Sequence, residues 1–435
     1  MTRLTITPSG PINGEIPIPG DKSITHRAVI LSAMAEGTCT IRDYCNGEDC
    51  FRTINAIRAL GISIEEKSTE LRVSGKGLRG FSEPQHILDC GNSGTSMRLL
   101  TGLLTGQNFF SVLTGDSSLR QRPMGRIITP LRQMGATISG RQGGEFAPIA
   151  IQGTRLQATS YTSPIPSAQV KSSILIASLL AEHPTTFCEP ARSRDHTERA
   201  LQHFGVHLDY KSDTVIHLTP SSLVAKDLTV PGDFSSAAFF IVAGLIVPDS
   251  RITIRNVGLN QTRIGLLDIL KIMGASIQIL DIHNNAGEPV GDIYVQSSQL
   301  EGAEIDPKNM LRAIDEFPIL CVAAAFAKGQ TRITGMEDLR VKESDRIATM
   351  TQSLRRVGVD VDEHQDGIVI RGGTRLRGTE CSSYGDHRVA MAMAIAALNA
   401  SETTTLTNID CIQTSFPSFL NEFQKIAPAC LVETS

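Results

Sequence analysis

The chain contains no tryptophan and only five tyrosines in 435 residues. Its formal net charge is −4. It therefore lacks both the stacking aromatics and the excess of cation on which nucleic-acid binding relies, and no nucleic-acid partner is expected. The near-balanced charge also excludes a general attraction to polyanions. Long apolar runs are missing. The longest, Ala237 to Val247, is too short to span a bilayer and reads as a buried helix, so no membrane partner is expected. Nine cysteines are present, without a Cys-x-x-Cys pair or a Cys/His cluster at zinc spacing, so no metal site is expected. Their scatter fits a reduced cytosolic protein. Cys45 and Cys50, the nearest pair, read as structural. Met1-Thr2-Arg3-Leu4-Thr5 shows neither a secretory apolar region nor an Arg/Ser-rich transit pattern, and a cytoplasmic location is expected.

What is present is a repeat. Six times a polar, cap-like start leads into a helix of small apolar residues. The starts are Asp21-Lys22-Ser23, Gly91-Asn92-Ser93-Gly94-Thr95, Ser167-Ala168-Gln169, Asp233-Phe234-Ser235-Ser236, Asp315-Glu316 and Ser383-Tyr384-Gly385-Asp386-His387-Arg388. A Thr-rich strand follows each helix, then a second helix that ends in an apolar-Gly stop. The stops fall at Gly61, Gly135, Gly205, Gly274 and Gly358, spaced by 74, 70, 69 and 84 residues. Glycine there is the usual left-handed helix terminus. A sixth copy, Phe423-Gln424-Lys425-Ile426-Ala427, has lost its glycine, as terminal repeats often do. The reading is an α/β protein of six units, and its length suggests two domains of three. The breaks are turns, Pro17-Ile18-Pro19-Gly20 and Val230-Pro231-Gly232.

Charged and hydroxyl residues gather at the helix starts. A helix N-terminus offers unpaired N–H groups and partial positive charge, so several such starts aimed at one place would bind a multiply charged anion. In Gly20-Asp21-Lys22-Ser23-Ile24-Thr25-His26-Arg27, Arg27 lies one turn beyond Ser23, which suits a phosphate or carboxylate. A plain N-cap with solvated basic neighbours explains the same residues. Gly91 to Arg98 combines glycines, hydroxyls and Arg98, but lacks the Gly-Lys-Ser/Thr ending of a Walker loop. Pro123 beside Arg120, Arg122 and Arg126 suggests a fixed geometry for Arg122. Leu339-Arg340-Val341-Lys342-Glu343-Ser344-Asp345-Arg346 is the most charged window. It places Lys342 and Arg346 on one helix face, at i and i+4. Asp315 opens an apolar helix, where a carboxylate is a good cap. Ringed by cations it would instead stay ionised and could act as a base.

Together these windows resemble the 5-enolpyruvylshikimate-3-phosphate synthase family, with seven segments in order from Gly20 to Pro417. The resemblance implies a two-domain inside-out α/β barrel. Each domain would hold three βαβαββ units, with helix N-termini facing the interdomain cleft. It implies an N-terminal domain of residues 21–231, mainly for shikimate 3-phosphate. Residues 1–20 plus 232–435 would form a C-terminal domain carrying the phosphoenolpyruvate side and the catalytic carboxylates. The activity implied is transfer of the enolpyruvyl group of phosphoenolpyruvate to the 5-hydroxyl of shikimate 3-phosphate, by addition and elimination, without metal or organic cofactor. Lys22, Ser23 and Arg27 match shikimate 3-phosphate ligands, with Lys22 also reaching the phosphoenolpyruvate site. Ser167, Ala168, Gln169 and Ser193 match its phosphate and ring contacts, with Arg194 as a helper. Asn92, Gly94 and Thr95 match the phosphoenolpyruvate loop, while Arg122, Arg346 and Arg388 match its phosphate and carboxylate ligands. Asp315 matches the base and Glu343 the acid, with Lys342 beside it.

Two positions depart from the common pattern. Ala168 stands where a second serine is frequent, and Thr414 stands where many members carry lysine. Gly94 is the residue associated with sensitivity to glyphosate, so inhibition by glyphosate is expected. A monomer is expected as well. The competing enzyme is UDP-N-acetylglucosamine enolpyruvyl transferase, whose loop cysteine is replaced here by Ser117. A non-catalytic anion-binding module is the other alternative, and the paired carboxylates Asp315 and Glu343 speak against it.

Overall fold

Five of the six apolar helices start on a side chain that accepts a hydrogen bond from their own first turn. The computed structural model describes residues 2–8, 10–428 and 432–434. In it Asp21 accepts from the Ile24 amide, Ser93 from Ser96, Ser167 from Val170, Asp233 from Ser235 and Asp386 from Arg388. The helices run Lys22–Met34, Gly94–Thr105, Ala168–Ser178, Phe234–Ile246 and His387–Ala397. The sixth, Phe317–Phe326, differs from the expectation. Asp315 lies in a 3-10 turn, Ile314–Glu316, and Glu316 takes the cap position without a side-chain cap bond. Proline in the first turn, Pro318, sets this start instead. These helices are apolar almost all round, which requires burial on every side. Phe234–Ile246 is buried at every residue.

The second helices end as their glycines require. Gly61, Gly135, Gly205, Gly274 and Gly358 have φ of 85°, 89°, 89°, 91° and 91°, a region that carries little penalty only for glycine. The sixth terminus, Ala427, stays at φ −122°.

Six small sheets result among the described residues. Five have four strands, and in each an outer strand runs parallel to its neighbour while the next strand pairs antiparallel. The remaining sheet joins three strands, Gly329–Ile333, Gly367–Gly372 and Asp360–His364. Two parallel bridges, Glu301 to Lys328 and Glu304 to Arg332, stand where its fourth strand would be. The last repeat is completed from the other end of the chain: Arg3–Ile6 pairs with both Thr404–Thr407 and Val432–Thr434. Leu4 and Ile6 on that strand are fully buried.

The chain divides into two compact units. One, the N-unit, is Gly20–Val230 with Asn284–Glu288. The other, the C-unit, holds residues up to Pro19, Pro231–His283 and those from Pro289 onward. The segment Asn284–Glu288 is an addition to the division expected from the sequence. Asn285 donates to the Thr229 carbonyl at 3.0 Å, and Glu288 meets His196 Nδ1 at 2.7 Å. Each unit has its own apolar core and three of the six sheets. In the N-unit, Gly102 lets two central helices touch: a Cβ there would lie 2.3 Å from the Ser173 carbonyl oxygen. In the C-unit, Phe239, Phe240, Phe416, Phe419 and Phe423 form a chain of ring contacts. No helix among the described residues is long and apolar enough to cross a membrane.

Candidate active site

Both units bring their polar helix starts together into clusters of charge. In the N-unit, Lys22 donates to Asp49 Oδ2 at 2.9 Å. Arg27 is buried, and among the described residues every hydrogen bond it makes goes to a neutral oxygen. Its Nε reaches Thr197 Oγ1 at 2.6 Å, and its two terminal nitrogens reach the Ser23 carbonyl at 2.8 Å and Ser172 Oγ at 2.7 Å. Burial pushes its pKa down to about 10, against the pull of Glu198 and Asp21. A guanidinium so placed, held by neutral partners in a desolvated site, is well suited to bind an anion. His26 beside it bonds Thr53 Oγ1 at 2.7 Å. Burial, with Lys22 and Arg27 nearby, drives its pKa well below the usual value and keeps the ring neutral.

The glycine loop is fixed by two arginines. Arg122 donates to Asn92 Oδ1 at 2.6 Å and to its carbonyl at 3.2 Å, and Asn92 donates to Asp116 Oδ2 at 2.7 Å. Arg98 donates to Gln169 Oε1 at 2.7 Å, and Gln169 donates to Thr95 Oγ1 at 3.2 Å. Gly94 is crowded by Arg98, whose terminal nitrogen would lie 2.6 Å from an added Cβ. Gly94→Ala must therefore displace Arg98 and with it the Gln169–Thr95 link. The expected result is a rise of roughly fivefold in the KM of an anionic substrate bound at this loop, since an off-rotamer side chain costs about 1 kcal/mol. Steady-state kinetics checks this, and an unchanged KM would place Arg98 outside the binding machinery. Ser167 caps the helix that begins at Ala168. Ser193 is buried, and its Oγ has no hydrogen-bond partner among the described residues. Arg194 lies near enough to Arg27 to disfavour its charge.

In the C-unit a single buried guanidinium collects three carboxylates. Arg346 is 1% exposed. It donates to Asp386 Oδ2 at 2.8 Å, to Glu343 Oε2 at 2.6 Å and to Asp315 Oδ1 at 3.4 Å. Burial opposes its charge, but Asp386, Glu343 and Asp315 outweigh that and raise its pKa further. The other Asp315 oxygen is 3.6 Å from Arg263 and 3.7 Å from Arg388. Arg388 also donates to the Asp315 carbonyl at 3.2 Å. Lys342 and Arg346 do not share a helix face, contrary to the sequence reading. Lys342 closes a 3-10 turn, Glu337–Val341, while Asp345 caps a helix that starts only at Arg346. The polar Glu343-Ser344-Asp345 stretch breaks the helix between them. Thr414, where lysine is frequent, spends its hydroxyl locally on the Cys411 carbonyl at 2.7 Å.

Sequence reasoning left out Asp49, Arg98, Arg263 and Asp386 as site residues. A signal was available for two of them: Asp49 lies in the first turn of the helix Glu48–Ala59, and Arg263 stands just before the helix Gly265–Ile272. Asp386 caps its helix with one oxygen, which accepts from the Arg388 amide, and its second oxygen accepts from Arg346.

The duplicated units, each with its own cluster of cations at helix starts, define an enolpyruvyl-transferase-type fold, and comparison with known proteins agrees. A model of the family described as EPSP synthase (3-phosphoshikimate 1-carboxyvinyltransferase) matches residues 6–423. The 3-phosphoshikimate 1-carboxyvinyltransferase of Geobacter metallireducens is 52% identical over 427 residues, covering 98% of this chain and 100% of that protein. Its counterpart in Geotalea uraniireducens is 51% identical over 426 residues, covering 98% and 99%. A solved EPSP synthase from Acinetobacter baumannii superposes with a TM-score of 0.89 at 41% identity, over the whole of both chains. The enolpyruvyl transferase NikO of Streptomyces tendae shares the fold alone, with a TM-score of 0.81 at 16% identity over 100% of this chain and 99% of that one. The chain belongs to the EPSP synthase family, and it is a transferase.

Proposed function

We propose that the chain moves the enolpyruvyl group of phosphoenolpyruvate onto the 5-hydroxyl of shikimate 3-phosphate and releases phosphate. The observation that carries the mechanism is Arg346, which holds two candidate proton-transfer groups, Asp315 and Glu343, on one guanidinium. Asp315 takes the proton of the attacking hydroxyl. Glu343 delivers a proton to the methylene carbon, which makes the adjacent carbon electrophilic. A tetrahedral adduct forms; Glu343 then takes a methyl proton back as phosphate leaves with the proton held on Asp315, and the enol ether product forms. Arg346 and Arg388, with Lys342, stabilise the charge of the donor's phosphate and carboxylate as it shifts. In the N-unit, Lys22, Ser23, Arg27, Ser167, Gln169, Ser193 and Arg194 take the shikimate phosphate and ring, with the Ala168 amide in the same first turn. Asn92, Gly94, Thr95 and Arg122 take phosphoenolpyruvate. Ser117 supports this acceptor over a nucleotide sugar, because the competing family carries cysteine there.

The chain works as a monomer in the cytoplasm under this reading. Supporting a reducing compartment, eight cysteines among the described residues form no disulfide, and six of them are buried. The test is phosphate release from phosphoenolpyruvate without added metal, with shikimate 3-phosphate or UDP-N-acetylglucosamine as acceptor. Release only with shikimate 3-phosphate is expected, together with inhibition by glyphosate that phosphoenolpyruvate relieves. Release only with the nucleotide sugar would overturn the acceptor assignment, and binding without release would favour a binding module.

A further inference from the structure

We infer that Lys171, Glu189 and Glu198 form a positioning device that clamps the Ser193 peptide and presents the Ser193 hydroxyl to the shikimate phosphate. The inference rests on the reading of the N-unit as the shikimate 3-phosphate site. Lys171 stands in the first turn of the helix capped by Ser167, and its amide donates to the Ser167 carbonyl at 3.0 Å. Its ammonium has three N–H bonds and finds three acceptors. These are Glu189 Oε1 at 2.8 Å, Glu198 Oε1 at 2.8 Å and the Ser193 carbonyl at 3.2 Å. From the other side, the Ser193 amide donates to Glu189 Oε1 at 3.0 Å. Both polar groups of Ser193's backbone are therefore held by members of one ion cluster. The three charged side chains are 1–2% exposed.

Stability alone does not call for such a cluster. Burying three charges carries a large desolvation penalty, and apolar or neutral replacements of buried ion groups are often no less stable. The cluster adjoins an apolar core that could accept such residues. Burial works against the Lys171 charge, yet Glu198 and Glu189 outweigh it and raise its pKa, so the ammonium remains. What the charges supply is a fixed location for one peptide. The hydroxyl on that peptide is buried and has no partner among the described residues, as a group reserved for a ligand would be. Neighbouring residues on the same two helices act in parallel: Ser172, after Lys171, and Thr197, before Glu198, bond each other at 2.6 Å and both hold Arg27. One pair of adjacent positions on each helix thus sets both Ser193 and Arg27.

The test is the neutral triple variant Lys171→Met/Glu189→Gln/Glu198→Gln, with Ser193→Ala made in the parent chain and in the triple background. KM for shikimate 3-phosphate should rise on the order of tenfold, while KM for phosphoenolpyruvate stays within about twofold and the melting temperature does not fall. Ser193→Ala should weaken shikimate 3-phosphate binding in the parent chain and do little in the triple background, because the clamp and the hydroxyl act as one. Additive effects, or equal losses for both substrates, would overturn the clamp. Should the triple variant fail to fold, Glu198→Gln alone removes one of the two negative charges that hold the ammonium, while its amide oxygen can still accept. It must show the same split between the two KM values in smaller measure, and an unsplit response refutes the clamp. Failure of the parent chain to use shikimate 3-phosphate would instead remove the substrate reading beneath it.

Discussion

Asp315→Asn should lower kcat by roughly 10²–10⁴-fold, the usual worth of a general base, while the protein keeps its fold and still binds both substrates. Asparagine matches the shape of the side chain but cannot accept the proton of the attacking hydroxyl. The position is suited to that task. Its carboxylate is 19% exposed and faces three guanidiniums, from Arg346 at 3.4 Å, Arg263 at 3.6 Å and Arg388 at 3.7 Å. Positive charge nearby favours the ionised form of a carboxylate, the form a base must start from. The checks are single-turnover kinetics for the chemical step and calorimetry for substrate binding. A kcat within tenfold of the parent would move the base elsewhere, and lost binding would make Asp315 a ligand first.

Arg346→Met is the change with the largest expected effect on folding. It strips the common partner from Asp386, Glu343 and Asp315, of which Asp386 is fully buried. Removing one member of a buried ion group typically costs about 3–5 kcal/mol, because a charge is left unpaired out of water. For a unit of this size that corresponds to a fall on the order of 10 °C in melting temperature. Adding Asp386→Asn should restore part of the loss. Asparagine removes the stranded charge and keeps an oxygen for the Arg388 amide, which Asp386 caps at 2.9 Å. Activity should be absent from both variants, since neither keeps the guanidinium proposed to hold the donor's anionic groups. Thermal unfolding monitored by circular dichroism decides the matter. Equal melting temperatures for the parent and Arg346→Met would mean that the carboxylates find other partners, and the account of the cluster would be wrong.

Much of the fold was legible along the chain because the signals are local. A side-chain cap such as Asp21 or Ser93 bonds an amide two or three residues away, and a glycine such as Gly61 is needed wherever the helix ends in a left-handed turn. The exceptions were local as well. Pro318 shifts the start of its helix past Asp315, and a polar stretch breaks the helix expected through Lys342 and Arg346. Arg263 and Asp49 escaped notice because each sits in an ordinary turn or first helical turn, and its partner is tens of residues away in the chain.

By itself, then, the sequence determined six repeated units, their helix ends, the cation-rich starts and a family resemblance, all of which depend on contacts within a few turns or on matched motifs. Only the tertiary structure decided which charges share a partner. Arg346 reaches residues up to 40 positions away, Lys171 gathers Glu189, Ser193 and Glu198 around one ammonium, and Arg3–Ile6 completes a sheet with residues some 400 positions later. The physical reason is the short range of these bonds: hydrogen bonds and buried ion pairs act over a few ångströms, and proximity of that kind between distant residues exists only once the cores have packed.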